Sequence, residues 1–290
     1  MLAPDLYFTL NTGARIPMIG LGTAGINGPD ITLRTLNDAL QMGYRLIDTA
    51  AIYENEKNIG YALEKLLPKF NLTRKDIFIT TKPHPKDIGE NTSKAIAKSL
   101  KDLNCGYIDL YLINWPGTIE VSPDDRENFI LRNSSWKIMV HAVKKKIIRQ
   151  IGVCGNTVRH LQQLLAHCHG ITPSVNQVEF HPFCRDRKLL DLCRPKNIFV
   201  QAYSSLGGSK WSDLINHECV TKCANKLGKT PAQILLRWAV QQEVGVIPTS
   251  HDRGHLFSNM QLDFNIPLED MLILSTLETR VRYDVNPHVV

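Results

Sequence analysis

Three short apolar runs end in residues able to do proton chemistry. Leu46-Ile47 runs into Asp48, Ile77-Phe78-Ile79-Thr80-Thr81 into Lys82, and Leu110-Tyr111-Leu112-Ile113 into Asn114. Tyr53 follows Asp48 by five positions, where a helical pattern opens. A carboxylate, an ammonium and a phenol on neighbouring strand ends can act as one site. The ammonium charge favours the phenolate and so makes the phenol a better proton donor, and the carboxylate keeps the ammonium charged and aimed. Taken singly the residues have plainer readings: Asp48 as a helix cap, Tyr53 as a half-buried aromatic, Lys82 as a surface charge.

The elements that must position them alternate along the chain. Apolar β-rich runs end near Leu21, Asp48, Thr81, Asn114, Val153, Gln177, Ala202 and Pro248. Helical patterns fall between and after them at 31–42, 55–67, 91–104, 135–147, 157–168, 186–194, 213–227 and 252–260. Eight β-then-α units over roughly 250 residues predict an α/β protein of the (β/α)₈ TIM-barrel type. A doubly wound open sheet is the competing architecture. The even eightfold count, and reactive residues on at least three strand ends, favour the barrel. Ahead of it, 6–10 and 14–18 flank Asn11-Thr12-Gly13, which reads as a β-hairpin. Pro231 to Trp238 is one more helical pattern, 267–276 a final helix, and the tail from Arg280 has no periodicity. With no linker or low-complexity segment, residues 1–290 read as one domain.

Composition excludes several classes. The chain is 43% hydrophobic and 21% charged, as globular proteins are. No apolar run reaches the roughly 20 residues that a membrane span needs, and Met1 to Leu10 lacks the pattern of a secretory signal. The seven cysteines have irregular spacing and form no Cys-x-x-Cys pair, so a reducing, cytoplasmic location is expected. The net charge of +6 is modest, and the basic run Lys144-Lys145-Lys146 reads as a solvated helix face. A monomer with no nucleic-acid or membrane partner is expected. His251 and His255 have the spacing of a metal-binding helix, but Asp252 stands where that motif needs Glu. His167 and His169 lack a third ligand nearby in sequence. No metal is expected.

Across nearly its whole length the chain resembles the aldo-keto reductases. The resemblance is carried by Ile19-Gly20-Leu21-Gly22-Thr23, Gly43-Tyr44-Arg45, Asp48, Tyr53, Lys82 and Trp115-Pro116, and by Asn176-Gln177-Val178-Glu179-Phe180-His181-Pro182. It continues through Tyr203-Ser204-Ser205-Leu206-Gly207 and Val246-Ile247-Pro248-Thr249-Ser250. It implies reduction of aldehydes or ketones to alcohols, with NADP(H) as hydride donor and Tyr53 as general acid. Lys82 would lower the phenol pKa, and Asp48 would pair with Lys82 and help bind the nicotinamide ribose. It also implies a hairpin that plugs the bottom of the barrel and a structural role for His181. Cofactor contacts are implied at Gly22, Thr23, Asp48, Gln177, Tyr203, Ser204, Leu206 and Ser250, with Tyr203 under the nicotinamide and Asn259 at the adenine.

Several positions depart from the pattern. Asn114 stands in place of the usual His; it can orient a carbonyl but cannot relay a proton. Ser-Asn-Phe is replaced by Cys154-Gly155-Asn156, so one carboxamide grip is lost and Asn156 replaces it only through a local shift. The Lys and Arg that ordinarily hold the 2′-phosphate are Thr249 and His255, with Arg253 the candidate substitute; NADP(H) preference is therefore expected to be weakened, with NAD(H) open. Ala24 stands where many members place an aromatic, and Trp115 is a candidate for the substrate-pocket wall, with Tyr53 and Asn114. The segment from Gly207 to Leu214 and the C-terminal tail are brief, which implies an open pocket and quick cofactor release. These departures support an alternative: a weakly active or inactive nucleotide-binding regulatory or structural protein on the same scaffold.

Overall fold

The computed structural model describes residues 6–208, 211–277, 281–283 and 285–290. The chain begins with an antiparallel hairpin, β1 (Tyr7–Thr9) and β2 (Arg15–Pro17). Its turn closes on Gly13, whose φ of 84° suits a residue without a Cβ. Leu10 and Ile16 are buried, and Phe8 stacks on Phe199 with ring centroids 4.6 Å apart. Asn11 Nδ2 donates to the Pro173 carbonyl at 3.0 Å, and Asn197 Nδ2 to that of Thr9 at 3.1 Å. The hairpin is thereby pinned under the barrel, the place the family resemblance implied.

Eight parallel strands follow in strict sequence order: β3 (Leu21–Gly22), β4 (Leu46–Asp48), β5 (Phe78–Thr81), β6 (Ile108–Ile113), β7 (Ile148–Cys154), β8 (Val175–Glu179), β9 (Phe199–Tyr203) and β10 (Gly245–Val246). First and last strands meet. Gly20 N donates to the Val246 carbonyl at 2.9 Å, Val246 N to that of Met18 at 2.7 Å, and Gly22 N to that of Pro248 at 3.1 Å. The expected (β/α)₈ barrel with an N-terminal hairpin is the fold. Its strands read as apolar runs because parallel strands between a packed interior and a helical layer are buried on both faces; all six residues of β6 are buried.

The surrounding helices are α1 (Pro29–Gln41), α2 (Glu56–Lys69), α3 (Thr92–Leu103), α4 (Glu127–Lys144), α5 (Val158–Ala166), α6 (Arg187–Cys193), α7 (Trp211–Ile215), α8 (Glu218–Leu227), α9 (Pro231–Val240), α10 (Arg253–Asn259) and α11 (Leu268–Ser275). Two differ from expectation. α4 starts eight residues before the predicted 135. Its early buried positions are polar, so the apolar period is hidden there. Asn128 donates to the Ser122 carbonyl at 2.8 Å, and Ser135 Oγ accepts from Gly89 N at 2.7 Å. The pattern predicted over 213–227 is two helices: His217 leaves helical geometry, and its Nδ1 accepts from Cys219 N at 3.3 Å to cap α8. The expected tail boundary at Arg280 lies outside the described residues. All seven cysteines are free, five of them buried. Among the described residues no helix is long and apolar enough to cross a membrane.

Closure of the barrel leaves no room at Gly22. A Cβ there would lie 2.5 Å from the Ile247 carbonyl oxygen and 2.6 Å from Thr249 Oγ1. The first of these is backbone and cannot rotate away, so Gly22→Ala is expected to lower stability by about 1–3 kcal/mol, the usual cost of overpacking. A thermal unfolding midpoint equal to that of the parent chain would show that the seam is looser than described.

Candidate active site

The C-terminal ends of β4, β5 and β8 converge on a buried polar cluster. Asp48 and Lys82 are 2% and 1% exposed, so neither charge has water to fall back on. Lys82 Nζ lies 2.7 Å from Asp48 Oδ1 and also donates to the Thr49 carbonyl at 3.1 Å. Asp48 Oδ2 accepts from Gln177 Nε2 at 2.7 Å, and the Asp48 carbonyl accepts from the Thr23 hydroxyl at 2.9 Å. Burial alone would strip the charge from Lys82. The Asp48 carboxylate, with Tyr53 and Cys154 beside it, outweighs that and raises the lysine pKa above its ordinary value.

Tyr53 is brought to this pair by local geometry. Ala51–Tyr53 forms a single 3₁₀ turn that stops at Glu54, which takes a left-handed φ of 55°. Ala51 N donates to the Lys82 carbonyl at 2.9 Å. The Tyr53 ring is half-buried, its centroid 5.5 Å from Lys82 Nζ. Asn114, at the end of β6, is half-buried, and among the described residues its side-chain amide has no hydrogen-bond partner.

Trp115 and Gly155 form one contact. Gly155 has φ 68°, and a Cβ on it would lie 2.9 Å from the Trp115 ring. Any side chain at 155 would displace the indole, so the amide expected there by resemblance has no space. Asn156 does not take over its place. Its side chain is buried along spaces that also border Phe129 and His160 on one side and Leu189 and Leu190 on the other, with Oδ1 unpaired. Among the described residues no hydrogen bond joins the Asn156 side chain to Asp48, Lys82 or Gln177.

Other residues singled out from sequence lie after β3, at the end of β9, after β10 and on α10. Thr23 is buried and Ala24 exposed at the β3 loop. Tyr203 ends β9 half-buried, and Ser204 follows in a left-handed turn with φ 49° whose carbonyl accepts from Gly207 N at 2.8 Å. Leu206 is half-buried beside it. Thr249 and His255 are exposed, Ser250 half-buried and Asn259 buried. Arg253 is engaged by α1: Nη1 lies 2.6 Å from Asp38 Oδ1 and Nη2 3.0 Å from Gln41 Oε1. The short segment from Gly207 to Leu214 falls partly outside the described residues. The tail is tied down over β8, where Tyr283 N donates to Glu179 Oε1 at 2.6 Å and the same oxygen pairs with His181 Nε2 at 3.1 Å.

Three supporting residues escaped the sequence reading. Gln201 Oε1 accepts from Gln177 Nε2 at 2.9 Å, and Cys154 Sγ reaches Gln177 Oε1 at 3.6 Å. Asn55 has the place of an ordinary helix cap before α2. It instead accepts from the Thr49 hydroxyl at 2.7 Å and donates to the Thr23 carbonyl at 2.8 Å, joining the first two strand loops. Nothing in sequence separates this clamp from a cap; Gln201 was discoverable only as a polar residue inside the apolar run of β9.

Comparison with known proteins agrees with this geometry. The aldo/keto reductase family model matches residues 18–276. The chain is 36% identical to bovine aldo-keto reductase family 1 member A1, covering 95% of this chain and 90% of that one. It is 35% identical to a glyoxal reductase of Bacillus subtilis, covering 96% and 95%. Among solved structures, an aldose reductase from Schistosoma japonicum superposes with a TM-score of 0.85 at 34% identity, over 95% of this chain and 93% of that one. The chain belongs to the aldo/keto reductase family.

Removing one partner of a buried pair strands the other. Lys82→Met is expected to destabilise the fold by about 3–5 kcal/mol in urea unfolding, and adding Asp48→Asn to recover a large part of that. A double variant as unstable as the single one would mean that charge pairing is not what holds these strand ends.

Proposed function

We propose that this protein reduces aldehydes or ketones to alcohols with a nicotinamide dinucleotide, Tyr53 acting as proton donor. The observation that carries the reading is the buried Asp48–Lys82 pair at 2.7 Å with a phenol ring 5.5 Å from the ammonium. A fully buried lysine held charged has one evident use in a cleft: to favour negative charge on a neighbour.

The polar groups suit the nicotinamide end of such a cofactor. Gln201 Nε2 is buried and unpaired, and Gln177 Oε1 has only the weak thiol donor of Cys154. Tyr203, at the end of β9, offers a ring to the nicotinamide, and Asp48, Gly22, Thr23, Ser204 and Leu206 complete the cofactor contacts in this reading. When bound, the reduced nicotinamide supplies hydride to the carbonyl carbon. Tyr53 gives its hydroxyl proton to the carbonyl oxygen, and Lys82 stabilises the phenolate left behind until solvent reprotonates it. Asp48 holds the ammonium in place. The Asn114 amide hydrogen-bonds the substrate oxygen, and Trp115 and Ala24 border the substrate; the exposed Ala24 leaves that side open. The chain works as a monomer.

Tyr53→Phe is expected to lower kcat for a reactive aldehyde such as a nitrobenzaldehyde by about 10²–10⁴-fold, the range for losing a positioned acid, while nucleotide binding survives. Undiminished turnover would remove Tyr53 from the chemistry. Asn114→His adds a group that titrates near neutrality. It is expected to raise kcat severalfold and to bend the pH–rate profile between about pH 6 and 7; a flat profile would show that residue 114 does not reach the reacting oxygen.

A further inference from the structure

In barrels of this kind, phosphate groups are commonly met by the loops after the last two strands. After β10 that stretch is Thr249-Ser250-His251-Asp252-Arg253-Gly254-His255, and its charges oppose a phosphate. Asp252 is exposed, and the backbone N–H of His255, donating to its Oδ1 at 2.8 Å, holds its carboxyl below the usual range. The start of α10 is thereby filled by the protein's own carboxylate. Arg253 is the single permanent cation of the stretch, and Asp38 and Gln41 of α1 already engage it. The His255 ring has Nδ1 3.9 Å from Asp252 Oδ1, and an imidazole is not a permanent cation. Two aspartates and one arginine leave this corner net negative.

A 2′-phosphate needs charge-assisted donors. A ribose 2′-hydroxyl needs an acceptor, and an acidic residue in that role is how other dinucleotide folds select NAD. We infer that the chain binds NAD(H) in preference to NADP(H), with Asp252 accepting from an adenosine ribose hydroxyl and Asp38 and Gln41 withholding Arg253 from a 2′-phosphate. This rests on the nicotinamide-dependent reading above and departs from the NADP(H) expected by resemblance.

The test is equilibrium titration of the whole chain with NADH and with NADPH, without substrate, followed by tryptophan fluorescence and by calorimetry. NADH is expected to bind at least about tenfold more tightly, the size of one charge-assisted hydrogen bond. Asp252→Asn keeps a good helix cap, so folding is retained; it should narrow the NADH-over-NADPH affinity ratio by about tenfold, the loss of a charge-assisted bond to NADH and the relief of repulsion toward NADPH acting in the same direction. Thr249→Lys with His255→Arg should reverse the preference. Equal or tighter binding of NADPH by the parent chain overturns the inference and leaves the reductase reading standing. Asp252→Asn with an unchanged affinity ratio overturns the role given to Asp252. Binding of neither nucleotide overturns the reductase reading itself and the inference with it.

Discussion

The site depends on one interaction, the buried ion pair of Asp48 and Lys82. Moving either charge out of water costs several kcal/mol, and mutual attraction offsets this only where geometry is good and the remaining valences are filled. Both conditions are met. Asp48 uses one oxygen for Lys82 and the other for Gln177, and Lys82 has a second acceptor in the Thr49 carbonyl. Three strand ends must therefore stay in register for the pair to exist. An apolar trio of similar volume would hold a barrel together as well or better, so the pair is a poor device for stability and a good one for fixing a cation beneath a phenol.

The departures from the family pattern near this pair are not independent. Asn114 and Trp115 follow β6, and Gly155 follows the neighbouring β7. The indole lies where a side chain at 155 would be, and Gly155 in turn takes a φ that suits glycine. Placing the Trp115 ring there and losing the amide at 155 are one packing choice. The neighbouring Asn156 is buried, and its backbone carbonyl accepts from Asn176 Nδ2 at 2.9 Å. The change reaches the Asp48–Lys82–Tyr53 group through Gln177: Gly155 N donates to the Gln177 carbonyl at 2.8 Å, and Gln177 Nε2 donates to Asp48.

The fold was largely readable because its two signals agree. Doubly buried strands give unbroken apolar runs, and the helices between them give a longer period. It failed where buried positions are polar: Asn128 and Ser135 hide the first turns of α4, and a histidine side chain caps α8 where propensity alone reads one helix. At the site, Asp48, Tyr53 and Lys82 announced themselves by residue type at strand ends. Gln201 and Asn55 did not, since a buried amide that spans two loops looks in sequence like any strand or cap residue. Arg253 was legible as a cation near the cofactor corner, but its partner Asp38 is 215 positions away, and only the three-dimensional contact shows which way the guanidinium faces.

The chemistry and the nucleotide choice proposed for this chain occupy different strand ends. The buried ion pair and its amide partner sit on β4, β5 and β8, while Asp252 and Arg253 follow β10 and Asp38 lies on α1. No hydrogen bond or ion pair among the described residues joins Asp38, Asp252 or Arg253 to Asp48, Lys82 or Gln177. Groups without shared partners contribute nearly additively. Substitutions in the phosphate corner can therefore alter which dinucleotide is held without disturbing the ammonium under Tyr53, whereas a change at Gln177 would reach the carboxylate directly. That separation would let the family's reductive chemistry coexist with the NAD(H) preference proposed above.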